Sequence, residues 1–175
     1  DLRLFASTPG DSGRRTFVDV NRSVESALTL TRGHIIERAQ IVRDLGDVPP
    51  VLMEDSRLGQ VIVNLLVNAA QAMPAGGRLL LRSRDVGEQE VVIEVADSGP
   101  GLDAAQREHL FEPFFTTKPA GNGLGLWISR SLLERYGGEL EACPQADAQA
   151  GGACFRIRLQ ASPLPPLLPV PPAEA

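Results

Sequence analysis

The chain has 175 residues, of which 43% are hydrophobic and 22% are charged, and this suits one globular domain with its own core. Its formal net charge of −5 gives no electrostatic reason to expect nucleic acid or an anionic membrane as a partner. No apolar run is long enough to cross a bilayer, so we expect a cytoplasmic domain without direct membrane contact. We expect Asp1 to be a boundary inside a longer protein, which has room for a membrane anchor upstream.

The first half of the chain is predicted to form two helices and several short strands. Residues 1–16 are mixed in character and read as the end of an upstream element followed by a linker. Asn21 is a favoured N-cap residue, and apolar residues recur after it at helical spacing as far as Ile36. The strongest predicted helix is capped by Asp55 or Ser56. Its apolar face consists of Leu58, Val61, Ile62, Leu65, Leu66, Ala69 and Ala72. Short strands are predicted at residues 17–20, 40–45 and 51–53.

The second half is predicted to add two alternating strands, two helices and a closing hairpin. The successive ranges are 78–84, 90–96, 103–109, 125–136, 139–143 and 153–159. Residues 161–175 contain six prolines and are predicted to be a disordered tail or linker. Helices and hairpins in this mixed order favour a two-layer α/β sandwich, with a mixed and mostly antiparallel sheet packed on helices, over a doubly wound parallel sheet. The domain itself is therefore predicted to span residues 17–160.

The cysteines and histidines do not suggest a metal site. Cys143 and Cys154 are too few and too irregularly spaced for a disulfide scaffold or a metal cluster, and we expect two reduced, partly buried thiols. His34 and His109 stand alone, without cysteine, histidine or aspartate at ligand spacing.

An asparagine pair lies on the strongest predicted helix. Asn64 and Asn68 are four residues apart, so they share one helix face at the edge of the apolar stripe. A helix interior does not favour asparagine by propensity. Neutral amide oxygens can ligate a hard cation such as Mg²⁺, which also takes substrate phosphates. The alternative is a polar pair on a solvated border.

A loop of small residues follows the second alternating strand. Asp97 ends that strand, and a half-buried carboxylate there needs a donor, which the exocyclic amine of a purine would supply. Gly99 and Gly101 would let the backbone approach a flat ring. The same residue types are also common in plain turns.

An aromatic segment without periodicity comes next. Residues 111–118 hold three of the chain's six phenylalanines, including Phe115, and aromatic side chains in a loop must bury against something. The neighbouring Thr116, Thr117 and Lys118 are suited to face a phosphate. The pattern indicates a hinged lid with an apolar anchor, and a loop pinned to the core is the simpler alternative.

Glycines open the last predicted helix. The segment is Gly121, Asn122, Gly123, Leu124, Gly125 and Leu126. Its glycines expose backbone N–H groups, and a helix N-terminus directs such groups and its dipole at an anion. It is not the dinucleotide fingerprint, which has glycine at the sixth position, nor a P-loop, which ends in Gly-Lys-Ser/Thr. It therefore predicts a phosphate cradle of another kind.

In this order and spacing, the four segments resemble the N, G1, F and G2 boxes of sensor histidine kinase catalytic domains. Those domains belong to a wider ATPase group that includes DNA gyrase, the ninety-kilodalton heat-shock chaperone and MutL. The resemblance covers about residues 17–159, and the phenylalanine-rich lid is characteristic of the kinases. It implies the Bergerat fold, in which ATP is held between the helical layer and a mobile lid.

The resemblance also implies a role for each matching position. Asn68 would bind Mg²⁺, Asn64 would support the phosphates or the metal, and Gln71 would contact a phosphate. Asp97 would accept a hydrogen bond from the adenine amino group. The glycines that would shape the adenine pocket are Gly99 and Gly101. The lid and cradle residues that would lie near the phosphates are Phe115, Thr116, Thr117, Lys118, Gly121, Asn122, Gly123, Leu124, Gly125 and Leu126.

Position 64 separates phosphoryl transfer from hydrolysis. The gyrase-type ATPases have a glutamate here that activates water, whereas Asn64 cannot act as a general base. The resemblance then implies a domain that binds Mg-ATP and donates its γ-phosphoryl group to a histidine in two-component signal transduction. That histidine lies in a His-Glu motif on an upstream helical hairpin, and neither His34 nor His109 has this context. This chain alone is not expected to phosphorylate itself.

The implied partners are the upstream dimerisation and histidine-phosphotransfer domain of the same protein and the receiver domain of a response regulator. The last strand departs from the family pattern. The family often has a threonine near the adenine aspartate, and we expect Cys154 to take that place. Because a thiol is a weak donor, one hydrogen bond in the adenine pocket is expected to be weakened.

Three other functions share parts of this pattern. An ATP-hydrolysing switch of the gyrase or chaperone kind conflicts with Asn64. An anti-sigma-factor serine kinase typically lacks the phenylalanine-rich lid. A degenerate kinase domain used as a docking surface has no need of four intact boxes.

Overall fold

The computed structural model describes residues 14–119, 121–144 and 151–162. Most of the predicted upstream linker, most of the predicted tail and the centre of the predicted hairpin loop lie outside these ranges. The described residues form seven strands and four helices. They are β1 (Thr16–Val18), α1 (Val20–Ile35), β2 (Ala39–Leu45), β3 (Val51–Met53), α2 (Asp55–Ala72), β4 (Gly77–Gly87), β5 (Glu90–Asp97), α3 (Ala104–His109), α4 (Gly125–Glu134), β6 (Glu139–Ala142) and β7 (Cys154–Gln160).

Five strands form the main sheet in the order β2-β4-β5-β7-β6. Strand β2 is parallel to β4, and the other neighbours are antiparallel. Strands β1 and β3 form a separate antiparallel pair. The edge of β3 that does not face β1 contacts the end of the described chain. Val51 of β3 bridges to Ala161, and the Ser162 N–H donates to the Pro50 carbonyl over 2.8 Å. Strand β3 therefore lies between the start and the end of the described domain.

Helices cover one face of the main sheet. Helix α2 packs on β5, and α1 and α4 pack against α2. Leu58, Ile62 and Leu66 of the α2 stripe are completely buried, as are Ile93 of β5 and Ile157 of β7. Each such side chain contributes about 1.5–3 kcal/mol through its removal from water. A layer of helices on a mixed, mostly antiparallel sheet confirms the predicted two-layer α/β sandwich.

The opposite face of the sheet carries charged side chains. Glu94 of β5 pairs with Arg82 of β4 over 3.2 Å and with Arg156 of β7 over 2.7 Å. A row of ion pairs is typical of a sheet face in contact with water. No helix in the part of the chain that the structure describes has both the length and the apolar character needed to span a membrane.

The predicted caps of the first two helices are wrong. Asp19, not Asn21, caps α1, and its Oδ1 accepts from the Arg22 N–H over 3.0 Å. Asn21 is instead held by tertiary contacts, because its amide donates to Gly46 O and accepts from the Ser83 hydroxyl. At α2 the N-cap residue is Glu54 rather than Asp55 or Ser56, and its side chain makes no capping bond.

The prediction of two reduced thiols is also wrong. Cys143 and Cys154 form a disulfide between the end of β6 and the start of β7. The antiparallel pairing of these strands brings the two residues opposite each other, and the Cys143 N–H donates to the Cys154 carbonyl over 2.8 Å. Both cysteines are buried next to Ala96 of β5.

Candidate functional site

A cleft of about 1060 Å³ opens between α2, the end of β5 and the segment that joins α3 to α4. Residues from all four sequence segments line it. The predicted residues among them are Asn64, Asn68, Gln71, Asp97, Gly101, Phe115, Thr116, Thr117, Lys118, Gly121, Asn122, Gly123, Gly125 and Leu126. Gly99 and Leu124 do not line the cleft. Their N–H groups instead orient two residues that do, Asp97 and Asn122.

Asp97 lies at the end of β5 and is only 3% exposed. Its Oδ1 accepts from the Gly99 N–H over 2.8 Å and from the Ala153 N–H over 3.2 Å. Among the described residues Oδ2 makes no hydrogen bond, which leaves it able to accept from a ligand. Burial raises the pKa of the Asp97 carboxyl, although the two N–H donors and the charge of Lys118 act in the opposite direction.

Sequence reasoning missed Gly152 and Ala153, which complete this corner of the cleft. The Gly152 N–H donates to the Asp97 carbonyl over 2.9 Å. A Cβ at Gly152 would overlap Asp97 and the Gly99 nitrogen, so only glycine fits here. A Cβ at Gly99 would likewise lie 2.8 Å from Asp97 Oδ1. The backbone therefore closes tightly around the carboxylate and leaves the space beside it open.

The prediction that Cys154 lies in this pocket is wrong. Ala153 lines the cleft, and Cys154 pairs with Ala96 on the opposite face of the sheet. The alternation of side chains along β7 could have shown which residue faces the cleft, because Phe155, Ile157 and Leu159 are buried against the helices. Position 153 shares their face and position 154 does not. The hydrogen bond expected from a thiol is supplied by the backbone N–H of Ala153 instead.

Asn64 connects α2 to the start of α4. Its Nδ2 donates to the Ser129 hydroxyl over 3.0 Å, and Ser129 is only 2% exposed. A Cβ at Gly125 would lie 2.5 Å from Asn64 Oδ1. The amide is thus fixed between two residues of α4, one on each side.

Asn68 and Gln71 face the cleft one turn further along α2. Both side-chain oxygens accept hydrogen bonds from Lys118, over 3.2 Å at Asn68 Oδ1 and 2.8 Å at Gln71 Oε1. Burial lowers the pKa of the Lys118 ammonium group, and the Asp97 charge partly opposes this. An ammonium group therefore already occupies Asn68 Oδ1, to which the sequence assigned Mg²⁺, and Gln71 Oε1, to which it assigned a phosphate contact.

Two of the three phenylalanines of the lid segment anchor it, as the sequence predicts. Phe115 packs against the core and against the His109 ring, with the ring centroids 5.8 Å apart. Phe111 packs on the core and lies under the Arg130 guanidinium, with Arg130 Cζ 5.2 Å from the centroid of the Phe111 ring. Phe114 is different, because it is 73% exposed and has a positive φ of 68°.

Helix α4 begins at the cleft with free backbone donors. Leu124 is its N-cap residue and makes no side-chain capping bond. The first N–H groups of a helix have no intrahelical partner, and the helix dipole gives that end a partial positive charge. The preceding turn is tight, since Gly123 has a φ of 68° and a Cβ there would overlap the backbone of Phe114. This end of the cleft suits an anion.

Among the described residues, neither histidine forms a hydrogen bond with the polar side chains that line the cleft. His109 pairs with Glu112 over 3.0 Å, and this hydrogen bond raises the pKa of its imidazole. His34, near the end of α1, is exposed and lines the α1 side of the cleft.

These donors and acceptors fit a magnesium nucleotide. The Asp97 carboxylate suits an amine donor, and the glycine-lined space beside it suits a flat ring. The α2 amide oxygens are hard ligands, and the Lys118 ammonium group stands where a cation would sit. The start of α4 suits phosphates.

Comparison with known proteins agrees with this chemistry. Residues 53–163 match the family described as histidine kinase-, DNA gyrase B- and HSP90-like ATPase. Sporulation kinase E of Bacillus subtilis is 35% identical over 126 residues, which are 71% of this chain and 16% of that protein. The chain therefore spans about a sixth of the length of this relative.

Two solved structures share the fold. The mycobacterial sensor histidine kinase MprB superposes with a TM-score of 0.75 at 29% identity, over 86% of this chain and 99% of that one. Full-length ShkA in complex with AMPPNP superposes with a TM-score of 0.73 at 26% identity, over 92% of this chain and 34% of that one.

Proposed function

Because the chain belongs to the family of histidine kinase-, DNA gyrase B- and HSP90-like ATPases, as the catalytic ATP-binding domain of a bacterial sensor histidine kinase, we propose that it binds Mg-ATP and donates the γ-phosphoryl group to a histidine on a separate domain. The observation that carries this proposal is the meeting of three kinds of group in one cleft. These are a buried carboxylate, a row of amide oxygens and an uncapped helix N-terminus.

In this proposal Asp97 selects the base. Its Oδ2 accepts from the exocyclic amine of adenine, while Gly99 and Ala153 hold Oδ1. Guanine carries a carbonyl at the position of that amine, so the carboxylate would face a second acceptor. A site built to accept a hydrogen bond rejects such a ligand strongly.

The phosphates would lie between the α4 N-terminus and Lys118, where backbone donors and an ammonium group converge on the cleft. Asn68 would hold the metal through Oδ1, and Asn64, fixed by Ser129, would support it. A bound Mg²⁺ would neutralise charge on the transferring phosphoryl group. Asn64 has no basic atom to activate water, which favours transfer over hydrolysis.

The proposed partners are an upstream dimerisation and histidine-phosphotransfer domain of the same protein and the receiver domain of a response regulator. The proposed domain bounds are residues 17–160, and the proposed location is the cytoplasm. Sporulation kinase E, which this chain resembles, is much longer than the matched region, and this leaves room for such domains.

A calorimetric titration of the chain with Mg-ATP, with Mg-GTP as the control, tests the proposal. We expect binding of ATP in the micromolar range and no binding of GTP. Equal binding of both nucleotides would remove the role of Asp97. No binding of ATP by a folded chain would overturn the proposed function.

A further inference from the structure

The amide oxygens on α2 are occupied by a cation that the chain itself supplies. Lys118 Nζ lies 2.8 Å from Gln71 Oε1, 3.2 Å from Asn68 Oδ1 and 3.5 Å from the Asn68 carbonyl oxygen. Asn68 and Gln71 are three residues apart on the helix, so both oxygens lie on one face. Three oxygen acceptors match the three donors of an ammonium group.

Lys118 is well suited to this contact. It is the only lysine in the chain, whose other sixteen basic residues are arginines. An ammonium group is a compact point charge, unlike the planar guanidinium fork, so it resembles a small metal cation in the oxygens that it can satisfy.

The same residue holds its own loop together. The Lys118 N–H donates to Thr116 Oγ1 over 3.1 Å, and the Gly121 N–H donates to the Lys118 carbonyl over 3.1 Å. The side chain thus ties this turn of the lid segment to α2, some fifty residues earlier in the chain. When the ammonium group leaves α2, this tie is lost.

We propose that Lys118 is a tethered cation that fills the divalent-cation site of the nucleotide-free protein, so that a metal ion enters only with a nucleotide whose phosphates draw Lys118 away. This inference rests on the proposed function, because it takes Asn68 as a metal ligand. Loading is then ordered. A free divalent ion meets an occupied site, whereas the phosphates offer Lys118 another partner and release the amide oxygens.

Binding of Mn²⁺ alone, without nucleotide, tests the inference through the relaxation of water protons. We expect the wild-type chain to bind Mn²⁺ weakly and Lys118→Met, which removes the charge and keeps the length, to bind about tenfold more tightly. Adding Asn68→Ala to Lys118→Met should abolish the gain. Lys118→Arg keeps the positive charge but replaces the compact ammonium group with a planar fork, so its Mn²⁺ affinity should lie between those of wild type and Lys118→Met. Equal Mn²⁺ affinity in wild type and Lys118→Met would overturn the inference.

The reactivity of the single lysine gives a second readout without any metal. Mass spectrometry after acylation distinguishes Lys118 from the α-amino group. Asn68→Ala should raise the acylation rate of Lys118 severalfold, because one of its acceptors is lost. Gln60→Ala, which removes another α2 amide that does not bond to Lys118, should leave the rate unchanged. An unchanged rate in Asn68→Ala would contradict the contact.

The two proposals fail separately. Nucleotide is absent from both measurements, so a chain that shows the Mn²⁺ gain but does not bind Mg-ATP retains Lys118 as the occupant of the cation site, and loses both the proposed function and the ordered loading that depends on it. A chain that binds Mg-ATP without the Mn²⁺ gain retains the proposed function and loses the tethered cation.

Discussion

The Asn64 side-chain amide on α2 donates to the Ser129 hydroxyl on α4 over 3.0 Å, and Ser129 is buried. One hydrogen bond therefore sets the orientation of a cleft residue from a helix that follows it by 65 residues. Ser129→Ala should lower the Mg-ATP affinity about fivefold, because loss of a neutral hydrogen bond is worth about 1 kcal/mol. The lost hydrogen bond should also lower the stability of the domain. Calorimetry measures the ATP affinity, and thermal melting measures the stability.

The matched control for Ser129 is Ser83→Ala. Ser83 is also completely buried, and its hydroxyl donates to Asn21 Oδ1 over 2.7 Å, away from the cleft. Ser83→Ala should lose about as much stability as Ser129→Ala does, but it should keep the wild-type ATP affinity. If both variants bind ATP equally well, Ser129 has only a structural role.

Asp97→Asn should separate nucleotide recognition from stability. Burial raises the pKa of the Asp97 carboxyl above its ordinary value of 3.8, so the folded state binds this proton more tightly than the unfolded state does. Wild-type stability therefore falls as pH rises from 3.8 to the raised pKa, and the neutral amide escapes this loss. The melting temperature of the variant relative to wild type should rise with pH across that window.

The same variant should bind Mg-ATP about 10- to 100-fold more weakly, since a hydrogen bond to a charged group is worth about 1.5–3 kcal/mol. Thermal melts across pH and one titration at neutral pH check both parts. A melting difference that does not depend on pH would show that the carboxylate is not destabilised by burial. An unchanged ATP affinity would remove Asp97 from the site.

Gly152→Ala should damage the corner of the cleft around Asp97, where we propose that the base binds. Its new Cβ would overlap Asp97 and the Gly99 nitrogen, which are backbone and short side-chain atoms with little room to move. We expect a loss of about 1–3 kcal/mol in the free energy of unfolding and a fall in ATP affinity of at least tenfold. Denaturant melts and calorimetry measure these effects.

Gly33→Ala provides the comparison, because a Cβ there meets nothing within 4 Å and the residue lies within α1. It should raise stability by about 0.5–1 kcal/mol and leave ATP binding unchanged. If Gly152→Ala also gains stability and keeps its ATP affinity, Gly152 does not approach Asp97 as closely as described.

Reduction of the Cys143–Cys154 disulfide should destabilise the domain. The bond closes a short loop of sequence separation 11, for which chain entropy predicts a loss of about 3 kcal/mol on reduction. That corresponds to a fall in melting temperature of roughly 10 °C. The double variant Cys143→Ser, Cys154→Ser should melt at the same temperature with and without a thiol reductant. A wild-type melt that a reductant leaves unchanged would show that the bond adds no stability.

Incubation of this chain with Mg-ATP labelled at the γ-position should leave no label on protein. His109 is held by Glu112 and Phe115. His34 lines the cleft from α1, whereas the proposed phosphate positions lie between the N-terminus of α4 and Lys118. Addition of the upstream helical domain as a separate chain should give acid-labile label on that domain alone. Stable label on His34 or His109 would contradict this assignment.

The elements with strong local patterns could be predicted from the sequence. Helix α2 follows from its apolar spacing, and α3 from Asp103, which forms a capping box with Gln106. The start of α1 could not be predicted in this way, because Asp19 and Asn21 are both good caps. Gly46 and Ser83, distant in sequence, bind the Asn21 amide and decide between them.

Prediction of the candidate site also succeeded for local patterns and failed for contacts between residues that are distant in sequence. Its four segments could be identified because each has a local composition that ordinary helices and strands lack. The Cys154 error came from a shift of one residue, and in a strand such a shift moves a side chain to the other face of the sheet. The disulfide and the Lys118 contact with α2 join residues that come together only when the strands and the lid pack.

Strand β3 has a mechanical consequence for the domain. Val18 of β1 pairs with Val51 on one side, and Ala161 pairs with Val51 on the other. The chain that arrives before β1 and the chain that departs after Ser162 therefore leave from either side of a single three-residue strand. Tension applied between these two points passes across β3 and bypasses the cleft between α2 and α4. A force that a neighbouring domain exerts on either end therefore does not separate α2 from α4 across the cleft.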